Sequence, residues 1–178
     1  HLRTETLPDE CQRLEGFDPD PARTELETLT ATLAAQDEAL RAAYAALAEE
    51  GPRGYATLAL LHQAAIEAEA GNTEAAARLY EQAAQRSPVA LIRDLARYQA
   101  ALAGFDGLSA DDISLRLDPL VSGGSSFSLL ARELMGAAAL RDERWDQARR
   151  HYEFIQLSLD ASEGLRLRAR DALSVIAQ

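Results

Sequence analysis

GNTEAAARLYEQAAQRSP, residues 71–88, decides how the rest of the chain is read. Gly71 supplies a residue free of Cβ constraints where two antiparallel helices would turn, and Asn72 precedes the helical run that begins at Thr73. Ala76 and Ala83 are small enough to let neighbouring helices approach closely. Tyr80 stands between them to fill the seam, and Pro88 ends the pair. The spacing is that of one helical hairpin.

The order Gly, small, aromatic, small, Pro resembles the tetratricopeptide repeat, and further copies of the pattern follow along the chain. Gly136 falls at the small position of a first helix, followed by Ala148, Tyr152 and Ile155 at the packing positions of a second, in a unit starting near residue 129. Ala101, Ile113, Leu117 and Leu120 fit a degenerate unit from about residue 94, and Ala39, Ala43, Ala46 and Gly51 fit one from about residue 20. Starts near 20, 57, 94 and 129 are separated by close to the ~34 residues of this repeat class.

Composition agrees with an all-α fold. Alanine occupies 36 of 178 positions, aromatics make up 6%, and Gly and Pro together number 16. Caps place helices at about 22–34, 37–49, 54–70, 74–86, 89–103, 110–121, 126–141, 145–158 and 162–177. Ser109 with Asp112 forms a capping-box pattern, Asp20-Pro21 an N-terminal start, and Gly51, Gly71, Gly104 and Gly123 the C-terminal stops. The expected architecture is a right-handed α-solenoid of about four helical hairpins over residues 20–178, closed by a capping helix. Residues 1–19 form an acidic flexible or irregular arm, and Ser122–Ser126 a connector.

All 18 basic residues are arginine. A P-loop that hydrolyses nucleotides and Schiff-base chemistry both need a lysine, so neither is available. The net charge of −11 is weighted toward the N-terminus, with 12 acids against 4 arginines in residues 1–50. Such a surface repels phosphate backbones, which argues against nucleic acid and for basic or mixed-charge partners. Cys11 is the sole cysteine and cannot close an intrachain disulfide.

No motif for catalysis, cofactor or metal binding emerges. His1, His62 and His151 lack metal-ligand spacing, and no Gly-x-Ser-x-Gly elbow occurs. Asp106, Asp111 and Asp112, and likewise Asp142, Glu143 and Asp146, sit where repeats turn and read as capping residues. Tyr55, Trp145, Tyr152 and Phe154 are expected in packing roles. Arg93 and Arg97, at i and i+4, can grip a carboxylate, although pairing with neighbouring acids competes; Arg166 and Arg170 repeat the spacing on the last helix.

From Gly51 onward, GPRGYATLALLHQAA, LIRDLARYQAALAGFD, ARELMGAAALRDERWDQARRHYEFI and GLRLRARDAL resemble, in order across residues 51–178, the tetratricopeptide-like domain of the ancillary subunit of the bacterial Sec translocon. That resemblance implies an inner-membrane anchor outside this chain and a periplasm-facing domain that contacts secreted clients, chaperones and the translocon. Residues 1–50 depart from it, with no anchor among them. A cytoplasmic, self-associating adaptor, closing a homodimer, is the alternative. Either way the expected role is non-catalytic protein binding along the first helices of successive hairpins, near 54–70, 89–103 and 126–141. His62, Arg93, Arg97, Tyr98 and Arg132 are the candidate groove residues.

Overall fold

The computed structural model describes residues 20–176. The acidic arm 1–19, with His1 and Cys11, lies outside the described residues. All regular structure among the described residues is helical: α1 (Asp20–Glu50), α2 (Arg53–Glu69), α3 (Thr73–Arg86), α4 (Ala90–Ala103), α5 (Ala110–Ser122), α6 (Ser128–Arg141), α7 (Trp145–Leu157) and α8 (Glu163–Ile176), with a short 3-10 turn at Phe105–Gly107. The chain divides into two units, one ending at Leu40 and one running from Arg41.

In the second unit each helix packs on the next in sequence. The result is three hairpins in series, α2–α3, α4–α5 and α6–α7, followed by α8. In these three hairpins the small and packing positions of the repeat are buried. Ala64, Ala76, Tyr80 and Ala83 of the first hairpin correspond to Gly136, Ala148, Tyr152 and Ile155 of the third, and every one is buried. Ala101, Ile113, Leu117 and Leu120 in the middle hairpin are completely buried. The seams are filled largely by alanine because helices carrying small residues approach more closely and need less side chain to exclude water.

Contacts one hairpin apart tie the series together. At the α6–α7 turn, Arg141 donates to the carbonyls of Phe105 and Leu108 in the α4–α5 turn and lies 4.8 Å over the Phe105 ring. Asp142 accepts from the Ala110 N–H at 2.6 Å, and Arg144 grips Asp111 with both Nη atoms. These bonds satisfy groups that a helix end leaves open. The Ser109–Asp112 capping box forms as expected.

One expectation fails. The separate helices at 22–34 and 37–49 are a single helix of 31 residues. Ala34-Ala35-Gln36-Asp37 contains neither Gly nor Pro, so nothing stops propagation. Ala39, Ala43 and Ala46, placed in the seam of a fourth hairpin, are accordingly exposed.

Candidate protein-binding surface

Arg53 begins α2 directly after Pro52, and the Thr57 hydroxyl donates back to the Arg53 carbonyl at 3.0 Å. Across from it, the α3–α4 turn is held by Ser87, whose hydroxyl accepts from the Val89 N–H at 3.3 Å and donates to the Val89 carbonyl at 3.2 Å. Both buried hydroxyls are therefore satisfied within the protein. What remains facing outward is apolar: Gly54, Tyr55, Leu58, Pro88, Val89 and Ile92 line a hollow of about 420 Å³. Tyr55 is 63% exposed, Leu58 45% and Val89 53%, an unusual concentration of large apolar side chains in water.

His62, two turns along α2 from Tyr55, stacks on Tyr44 with ring centroids 5.0 Å apart and planes 11° from parallel. Tyr98 on α4 stacks on Phe127 at 6.1 Å. Burial, and secondarily the Glu133 carboxylate, raises the Tyr98 phenol above its ordinary pKa, while Arg168 opposes the shift. Arg168 on α8 is bonded to Glu133 on α6 through Nε at 2.5 Å and Nη2 at 3.0 Å. Tyr98, Glu133 and Arg168 thus bring α4, α6 and α8 to a common region.

The candidate arginines turn elsewhere. Arg97 pairs with Asp94 at 3.8 Å and borders a hollow with Glu81 and Gln85 of α3 and Arg116 of α5. Arg116 is itself paired to Glu81. Arg93, one turn before Arg97, shares its side of α4. Arg132 lies 3.7 Å over the Phe154 ring on α7. Its pKa is lowered by burial, with Asp118 of α5 opposing. His62 and Tyr98 thus meet Tyr44 of α1 and Phe127 at the start of α6, whereas Arg97 and Arg132 lie against second helices.

Tyr55 and Trp145 stay substantially exposed, unlike Tyr152, which is buried as expected; Phe154 is half exposed beneath Arg132. The hollow at Tyr55, Leu58 and Val89 was not legible from periodicity, because α2 is apolar around most of its circumference from Tyr55 to Leu61. Among the described residues, no group of three His, Cys, Asp or Glu side chains is arranged to hold a metal ion. Among them, no helix is long and apolar enough to cross a membrane. No family model matches the chain, and neither characterised proteins nor solved structures yield a match.

Proposed function

We propose that the chain is a non-catalytic protein-interaction domain that takes an apolar side chain of an extended client segment into the hollow between α2 and the α3–α4 turn. The observation that carries this reading is the exposure of Tyr55, Leu58 and Val89 around a cavity whose buried hydroxyls are already satisfied. Apolar contact releases water there without stranding a polar group, the usual composition of a ligand cleft. The net charge of −11 favours client segments with basic flanks.

The resemblance to the tetratricopeptide-like domain of the ancillary Sec subunit supports the wider setting: a periplasm-facing scaffold or chaperone-like factor, tethered to the bacterial inner membrane, that meets secreted clients and the translocon. Protease treatment of spheroplasts, with the full-length protein detected by antibody, tests that setting. Complete protection together with a soluble fraction would overturn the tether.

Binding is tested directly with a labelled, extended peptide carrying leucine and phenylalanine between arginines, read by fluorescence anisotropy. Leu58→Asp and Tyr55→Ser should each weaken binding about tenfold or more without altering the helical spectrum. Binding that is absent, or that is the same in parent and variants, would refute the assignment of this hollow.

A further inference from the structure

Leucine stands at positions 26, 33, 40 and 47, seven residues apart. Adding Leu29, Gln36 and Ala43 gives the spacing 26, 29, 33, 36, 40, 43, 47, alternating steps of three and four over three heptads. Leu26 is 65% exposed, Leu29 55% and Leu40 47%. We infer that α1 pairs with α1 of a second copy of this chain as a parallel, in-register two-stranded coiled coil along that leucine line. The inference is independent of the peptide-binding reading, since none of these residues lines the hollow at Tyr55.

Four observations identify the occupant. A face buried against an ordinary globular core follows the 3.6-residue period, and a strict seven-residue repeat drifts about 20° per heptad from it. Supercoiling around a like helix removes that drift. The seam is also free of charge. In a parallel register Glu25 comes opposite the partner's Thr30, and Thr32 opposite the partner's Asp37, so no like charges meet across the seam. Gln36 is set against the partner's Gln36, where two amides can bond to each other, and a single polar seam residue of this kind fixes register.

The third observation concerns helix stability. Thr24, Thr28, Thr30 and Thr32 are poor helix formers, and Thr28, Thr30 and Thr32 donate back to carbonyls one turn earlier, each at 2.8 Å. A helix of this composition, whose described side chains from Thr24 to Leu40 are all exposed, gains stability chiefly by burying its apolar stripe. Finally, the stripe is distinct from the side of α1 that its own chain uses. Arg41 pairs with Glu67, Tyr44 stacks on His62 and Ala48 is buried, about 100°, 40° and 80° around the helix from Leu40 and all to one side of it.

A membrane surface is the competing occupant for an amphipathic helix. Over its length α1 carries seven acids, among them Glu25, Glu27, Asp37 and Glu38, against Arg23 and Arg41, the wrong net sign for anionic lipid.

Sedimentation equilibrium of the full chain should show a reversible dimer. Leu26→Ala with Leu29→Ala should weaken it about tenfold or more, while thermal unfolding of the hairpins followed through the buried Tyr152 stays unchanged. In a Cys11→Ser background, Gln36→Cys should oxidise to a covalent dimer far faster than Ala31→Cys, which lies on the opposite side of the helix. A monomer at all concentrations, a dimer indifferent to the leucine substitutions, or equal crosslinking at positions 31 and 36 would overturn the proposal. Recruitment of a monomeric chain to phosphatidylglycerol vesicles through the same leucines would overturn it in favour of the membrane.

Discussion

Glu143 holds the turn position that Gly71 holds in the first hairpin. Both have left-handed backbones, with φ of 57° and 80°. In each turn the next N–H closes on the carbonyl five residues back, Asn72 on Glu67 at 2.8 Å and Arg144 on Ala139 at 2.7 Å. The two turns are one piece of geometry written with different residues, and only glycine adopts it without steric cost. Glu143→Gly should therefore stabilise the protein by about 0.5–1 kcal/mol. Gly71→Ala should cost about 1 kcal/mol, even though a Cβ there meets nothing within 4 Å. Urea denaturation of both variants checks the pair.

At Gly136 the constraint is space. A Cβ there would stand 3.0 Å from Cε2 and Cζ of Tyr152 and 3.3 Å from the His151 Cβ. Gly136→Leu should overpack the α6–α7 seam and cost about 1–3 kcal/mol. A thermal melt matching the parent would contradict the close approach.

Arg141 bonds two carbonyls of the preceding hairpin, at Phe105 and Leu108. Arg141→Ala leaves both acceptors to water and removes the cation over Phe105, so a loss of about 1–2 kcal/mol is expected. Amide exchange should quicken first around residues 105–111, the segment that Arg141 holds down.

His151 is half-buried against α6, and desolvation, reinforced by Arg132 and Arg150, pushes its pKa down to about 4, with Asp118 opposing. Its Nδ1 is buried without a hydrogen-bond partner. The unfolded chain takes up this proton near pH 6.5 and the folded chain only near 4, so between those values the unfolded state binds more protons. Stability is full above about pH 6.5, falls as pH drops through the window, and by pH 4 loses about 3 kcal/mol from this group, brought down to about 2 by the solvent screening of its half-exposed ring. Comparing urea midpoints of the parent and His151→Asn at pH 7, 5 and 4 isolates that contribution from those of Asp111 and Asp142. Both carboxyls are held below the ordinary range, chiefly by hydrogen bonds from Arg144 and Arg141 respectively.

The hairpin series was readable in the chain because its signals are local. Small residues at 76 and 83, and again at 136 and 148, set how closely helices approach, and Gly71, Pro88 and the Ser109–Asp112 box punctuate them within a few residues. Such features act through neighbours one or two turns away, so spacing alone carries them. The same locality misled at residues 35–37, where a repeat template suggested a turn that no residue there enforces. Which arginine meets which acid was not readable. Arg97 and Arg132 face second helices, and Arg168 reaches Glu133 from α8, because side-chain direction depends on how hairpins rotate against one another. The hollow at Tyr55, Leu58 and Val89 arises in the same way: its walls belong to α2 and to a turn about 30 residues later, and a cavity is a relation between distant segments that no window of sequence contains.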